Sequence, residues 1–196
     1  MKTIVLASLS PRRKELLESI GLSFKVDPPA EYKELKSKSM SAHELVKQNA
    51  IGKAQSVAQN YENAIIIGAD TVGAFKDHIL EKPSSHEDAK RMLHILSGKT
   101  HEVLTALCLI DTETGIKQVA VESTRITFVE MSDHDIETYL LYGESMDKAA
   151  AYAAQGIGSI FVKSFDGDYF NVVGLPMYRL NLMLKGFDIS LIDIVN

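Results

Sequence analysis

Ala64-Ile65-Ile66-Ile67-Gly68-Ala69 is a continuous apolar run, followed directly by a carboxylate, Asp70. Six apolar residues without polar alternation read as a strand buried on both faces, and therefore as the centre of a sheet. Upstream, Ser41 and Glu44 form a capping-box pattern for a helix reaching about Asn60. Further back, Thr3 to Ala7 reads as a short buried strand. Ser10 is then a good N-cap, with Pro11 suited to the first helical position. That helix has an apolar face of Leu16, Leu17 and Ile20, and Gly21 ends it. A second strand is expected around Phe24 to Val26, stopped by Pro28-Pro29, and Ala30 to Met40 reads as a polar, irregular, mobile loop.

Downstream of the central run a hairpin is expected, Thr71 to Phe75 and Ile79 to Lys82, turning at Lys76-Asp77-His78. Ser85 caps a helix carrying Ala89, Met92, Leu93 and Leu96, closed by Gly98. Two long β segments follow, about 101–111 and 116–129, joined at Thr112-Glu113-Thr114-Gly115. Ser132 caps a helix through Tyr142, ended by Gly143. The alanine-rich stretch 147–158 has no single reading. A hairpin at Asp166-Gly167-Asp168 then leads to Gly174-Leu175-Pro176 and a final helix with Leu180, Met183 and Leu184. Strands and helices alternate early and antiparallel pairs dominate late. The fold class is α/β: a mixed, twisted sheet flanked by helices, with a groove between two lobes as the natural site.

The 196 residues are 45% hydrophobic and 24% charged, enough for a core without disulfide or structural metal. The single Cys108 lies in the apolar run Leu104 to Ile110 and reads as a buried thiol of a reducing compartment. A net charge of −5 with no lysine or arginine block argues against a nucleic-acid polymer as partner, while leaving room for a local basic pocket. The first residues are too short for a signal-peptide core, and no apolar stretch approaches the ~20 residues that span a bilayer. The expectation is a soluble, cytoplasmic protein with no membrane partner.

Three places can do chemistry. Ser8-Leu9-Ser10-Pro11-Arg12-Arg13 sits at a strand-to-helix junction, where unpaired backbone N–H groups favour a phosphate and two guanidiniums match its geometry. Cations in a first turn oppose the helix dipole, which strengthens the case for an anion over an ordinary capped helix with solvated arginines. Asp70, after the most buried strand, suits a metal or a base acting on water, and could equally cap a turn. Lys53, late on its helix, and Lys82, in Glu81-Lys82-Pro83, could neutralise phosphate charge or simply be solvated. Gly98-Lys99-Thr100 resembles the end of a P-loop but has Leu93 where the first glycine belongs. His43-Glu44, His86-Glu87 and His101-Glu102 lack the second histidine of a zinc motif, so no zinc site is expected.

Six blocks together resemble the Maf family, whose members are known as septum formation proteins or nucleotide pyrophosphatases. They are S-L-S-P-R-R at 8, G-A-D-T at 68, E-K-P at 81, L-S-G-K-T-H at 96, D-K-A-A-A-Y-A-A-Q-G at 147 and D-G-D-Y-F-N-V-V-G-L-P at 166. The resemblance implies a single domain over 1–196 with two lobes and a central cleft, a homodimer, and a divalent cation, Mg2+ or Mn2+. It implies water attack at the α-phosphorus of a nucleoside triphosphate, releasing pyrophosphate. By position, Asp70 matches the general base. Ser8, Ser10, Arg12 and Arg13 match the phosphate-binding loop, Lys53 and Lys82 the charge-neutralising lysines, and Gln155 a glutamine near the base pocket. A loop carboxylate shares the metal with Asp70; counting back from Lys53 favours Glu34, with Glu31 as the substitute.

Arg12, Thr71 and Gln155 resemble the branch acting on dTTP and UTP rather than 7-methyl-GTP, which implies a dTTP/UTP pyrophosphatase. Ala150 and Ala153 stand where the family commonly has glycine, and a methyl there can block positive φ or close ligand approach. The rival readings are a nucleotide-sensing regulator of division without turnover, and a nucleotidyl- or phosphotransferase needing an acceptor.

Overall fold

The computed structural model describes residues 2–37 and 40–194. Seven strands form one mixed sheet: β1 (Thr3–Ala7), β2 (Lys25–Val26), β3 (Ala64–Phe75), β4 (His78–Leu80), β5 (Thr100–Asp111), β6 (Lys117–Phe128) and β7 (Val162–Asp166). Their order is β2-β1-β3-β5-β6-β7, with β4 paired to β3. β1 is parallel to both β2 and β3, in the register Val5↔Lys25 and Val5↔Ile66. β4 on β3 and β7 on β6 are antiparallel. The helices are α1 (Pro11–Ser19), α2 (Ala42–Ala58), α3 (His86–Leu96), α4 (Asp133–Leu141), α5 (Tyr169–Val173), α6 (Met177–Lys185) and α7 (Leu191–Ile194). Lys38 and Ser39, inside the loop expected at Ala30 to Met40, lie outside the described residues; 30–37 carries no helix or strand.

The chain divides into two compact units. The first comprises Met1–Asp70, Thr105–Glu122 and Gly174–Asn196. Its main core joins Ile4 and Leu6 of β1, Ile65, Ile67 and Ala69 of β3, Leu17 of α1, and Leu180, Met183 and Leu184 of α6. Side chains alternate across a strand, so Ile66, Gly68 and Asp70 point to the opposite face from Ile65, Ile67 and Ala69. On that face α2 approaches closely. A β-carbon at Gly68 would lie 2.8 Å from Ala54 Cβ and overlap the Ala50 carbonyl. The glycine two residues before Asp70 therefore lets α2 come within reach of the carboxylate.

The second unit comprises Thr71–Leu104 and Ser123–Val173, with a core of Leu80, Met92, Leu93, Leu96, Phe128, Ile136, Tyr139 and Phe161 among others. Ser85 Oγ accepts the Asp88 N–H, and Ser132 with Asp135 closes a full capping box, as those helix starts require. In the same unit a β-carbon at Gly73 would lie 2.7 Å from Ala150 Cβ.

Four expectations need correction. Thr71 to Phe75 is not a separate hairpin strand but the second half of β3, so Asp70 lies inside a twelve-residue strand. The turn is Lys76-Asp77, with Lys76 at φ 51°, and β4 stops at Leu80 because the Glu81 carbonyl accepts from Ala150 N–H instead of extending the ladder. Asp166-Gly167-Asp168 does not make a hairpin. Asp168 accepts the Phe170 N–H at 2.8 Å and starts α5, while β7 pairs only back onto β6. Ser10 flanks α1 without a side-chain cap; the serine engaged there is Ser8, whose hydroxyl accepts the Ser10 N–H.

The alanine-rich segment forms two 3-10 turns, Ala149–Ala151 and Ile157–Phe161, rather than a helix. Ala150 and Ala151 both take left-handed conformations, φ 59° and 62°, so the methyl at 150 is accommodated at positive φ. Tertiary hydrogen bonds, Ala150 N–H to Glu81 O and Ala153 N–H to Tyr139 Oη, override the strong helix propensity of alanine.

Candidate active site

The junction between β1 and α1 is built around a buried arginine. Arg13 Nε donates to Gly174 O at 2.7 Å, and Nη1 donates to Ser8 Oγ at 3.1 Å and Ala69 O at 3.0 Å. One guanidinium thus ties the loop after β1 to the middle of β3 and to the segment before α6. Burial pulls its pKa below the ordinary arginine value and Arg12 acts in the same sense, while Asp70 and Glu34 oppose the shift. Sequence alone pairs Arg13 with Arg12 as a phosphate ligand; in the structure its identified partners are protein oxygens. Arg12 is half-buried on the first turn of α1, a turn that carries no acidic residue.

Beneath this junction lies an ionic cluster on the α2 face of β3. Lys53 Nζ lies 2.7 Å from Asp70 Oδ1 and 2.6 Å from Glu34 Oε1. The Lys53 and Asp70 side chains are only 8% and 11% exposed, whereas Glu34 is 46% exposed. Asn49, one helical turn before Lys53, donates to the other carboxylate oxygen, Asp70 Oδ2, at 3.1 Å. Both oxygens of Asp70 are engaged and its orientation is fixed. Tyr32 reaches the same spot, donating from Oη to Asn49 Oδ1 at 3.0 Å. Burial, reinforced by Asp70 and Glu34, raises the Tyr32 phenol, so it stays a neutral donor.

The structure therefore brings together Ser8, Arg13, Lys53, Asp70 and Glu34, with Ser10 and Arg12 on the adjoining helix start. Glu31, the substitute for Glu34, is exposed one residue before Tyr32. Thr71, Lys82 and Gln155 belong to the second unit. There Lys82 is exposed between β4 and α3, and Gln155 is exposed in a segment held at its ends. Tyr139 Oη accepts the Ala153 N–H and bonds to Glu144, whose carboxylate accepts from Ile157 N–H and Gly158 N–H.

Sequence reasoning missed Asn49 and Tyr32, and with them Gly52, whose missing β-carbon leaves room for the Tyr32 ring. The available signal was a helix interior containing both asparagine and glycine, two residues that weaken a helix and so ask for a reason.

Two carboxylates converging on one ammonium make a donor set that also suits a hard divalent cation. Among the described residues no group of three His, Cys, Asp or Glu side chains converges on a metal position. Two carboxylates completed by water and substrate phosphates is a common pattern for Mg2+, so the residues present fit such an ion.

Fold and cluster define a mixed α/β protein whose charged side chains suit a phosphorylated ligand. Residues 3–187 match the family described as Maf-like protein. The chain belongs to the Maf family. It is 45% identical over 185 residues to a protein of Ruminiclostridium cellulolyticum named dTTP/UTP pyrophosphatase, covering 94% of this chain and 96% of the relative. A protein of the same name from Dictyoglomus thermophilum is 44% identical over 191 residues, covering 97% and 99%. A solved structure, that of the Staphylococcus aureus Ham1 protein, aligns with TM-score 0.46 and 14% identity over 99% of this chain and 94% of that one. No helix among the described residues is long and apolar enough to cross a membrane.

Proposed function

We propose that this chain is a nucleoside triphosphate pyrophosphatase that hydrolyses dTTP and UTP to the monophosphate and pyrophosphate. The observation that carries the chemistry is a buried Asp70 held at both oxygens, by Lys53 and Asn49, with Glu34 on the same ammonium. The names of the full-length relatives support the choice of nucleotide. Asp70 accepts the proton of the water that attacks the α-phosphorus. Lys53 shifts from the carboxylates toward the triphosphate, and together with Arg12 and Lys82 it offsets the charge that repels the nucleophile. Ser8, Ser10 and the N-terminus of α1 hold phosphate oxygens, while Arg13 keeps that loop in place. Asp70 and Glu34 would hold Mg2+ or Mn2+, which supplies Lewis acidity and charge neutralisation when bound. Thr71, Arg12 and Gln155 select the pyrimidine base. A cytoplasmic homodimer is part of the same reading, and sedimentation analysis checks the dimer.

The test is pyrophosphate release with Mg2+ across dTTP, UTP, CTP, GTP, ATP and 7-methyl-GTP, with Asp70→Asn alongside. The expectation is selective turnover of dTTP and UTP, reduced at least ~100-fold in Asp70→Asn with the fold retained. Near-normal activity in that variant removes Asp70 as the base. Binding without turnover of any nucleotide replaces the enzyme by a sensor.

A further inference from the structure

Asn49, Gly52 and Lys53 stand three and four residues apart on α2 and so share one helix face. All three positions meet the segment Tyr32 to Leu35. Leu35 N–H donates to Asn49 Oδ1 at 2.8 Å and Leu35 O accepts from Asn49 Nδ2 at 3.3 Å, so the side-chain amide pairs with residue 35 as a neighbouring strand would. Because Leu35 N–H can only donate, it fixes the amide's orientation and turns Nδ2 toward Asp70. With Tyr32 Oη on Oδ1 and Asp70 on Nδ2, the hydrogen-bonding capacity of Asn49 is filled. At Gly52 a β-carbon would overlap the Tyr32 ring, so the ring lies on bare helix backbone. Glu34, between these two fastened residues, then meets Lys53 at 2.6 Å.

We infer that Asn49 and Gly52 are positioning residues for the reaction. Together they form a seat on α2 that fastens Tyr32 and Leu35, and so sets the Glu34 carboxylate against Lys53 and Asp70. This rests on the proposed roles of Glu34 and Asp70 and adds how those groups are brought into register. An alanine would favour the helix at either position, asparagine and glycine being poor helix formers. Residues that weaken α2 occupy the face that receives the loop, and the loop supplies the half-exposed carboxylate.

The experiment compares Gly52→Ala and Asn49→Ala, each alone and combined with Glu34→Gln, by steady-state kinetics with dTTP and Mg2+, by thermal unfolding, and by hydrogen exchange over Tyr32 to Leu35. Gly52→Ala is expected to keep or raise Tm, lower kcat at least ~10-fold with a smaller change in KM, and speed exchange at the Leu35 amide. Asn49→Ala is expected to speed exchange likewise and to lower kcat. In the Glu34→Gln background Gly52→Ala should not lower kcat much further, because it acts through that carboxylate, whereas Asn49→Ala keeps the part of its effect that runs through Asp70. The inference is overturned if Gly52→Ala retains kcat within ~2-fold, if its loss multiplies in the Glu34→Gln background, or if Leu35 exchange is unchanged. Absence of turnover in the parent protein is a failure of the proposed activity; unchanged Leu35 exchange is a failure of the seat.

Discussion

Replacing Lys53 by methionine keeps most of the side-chain length and removes the ammonium lying 2.7 Å from Asp70 and 2.6 Å from Glu34. At an effective dielectric of 20 a charge pair at that distance is worth about 6 kcal/mol before desolvation is subtracted. Breaking a buried pair by removing one member costs about 3–5 kcal/mol, since the remaining charge is stranded. Asn49 still donates to Asp70 and offsets part of this, so a loss of about 3 kcal/mol is expected. For a chain of this length that corresponds to a fall in Tm of about 6–12 °C. The two carboxylates should behave differently. Asp70 is buried, so adding Asp70→Asn to Lys53→Met should recover at least half the loss. Glu34 is nearly half exposed and can rehydrate, so adding Glu34→Gln should recover little. Urea unfolding of the four proteins in chelator, followed by fluorescence and circular dichroism, gives the values. A loss below about 1 kcal/mol, or equal recovery from the two second substitutions, would refute the reasoning.

Three further outcomes follow from the buried groups. His101 is fully enclosed beside Phe128 and Tyr152, and burial lowers its pKa to about 4. The unfolded chain therefore binds a proton below pH 6.5 that the folded chain refuses, and stability falls as pH drops from about 6.5 to 4, by up to about 1.4 kcal/mol per pH unit. Unfolding midpoints from pH 7 to 4 should flatten in His101→Phe; an unchanged slope would contradict a buried neutral imidazole. The Cys108 thiol is buried and pushed up to about 12, so it should react with a thiol reagent only as fast as the protein unfolds. Gly73→Ala should cost about 1–3 kcal/mol by driving a methyl into Ala150, and Ala150→Gly in that background should restore most of it.

The elements legible in the sequence were those whose information is local. The apolar run at Ala64, the serines before α3 and α4, and the glycines at 98 and 143 each mark an element through its own chain neighbours. Expectations failed where a distant partner decides the conformation. Asp168 reads as a hairpin residue until it is seen starting α5, and 147–158 has no single reading until Glu81 and Tyr139 are seen drawing it into turns. The candidate site divides in the same way. Asp70, Lys53 and the arginine pair stand out by residue type and by resemblance to a family. That Lys53 is buried rather than solvated depends on Gly68 admitting α2, and that Arg13 is committed to backbone oxygens depends on Gly174. No spacing rule places a residue at 13 beside one at 174.

The proximity of Gly73 and Ala150 also bears on the order in which this chain could have changed. Ala150 faces Gly73, and its methyl fits without displacement only while position 73 offers no β-carbon. Starting from glycine at both positions, a lineage can add one methyl at either place, and whichever comes first closes the other. The two sites then behave as a ratchet: to move the methyl from 150 to 73, a descendant must first pass back through a double glycine. Ancestors reconstructed along the branch leading to this chain should accordingly show one alanine or none at the pair, with two alanines absent throughout.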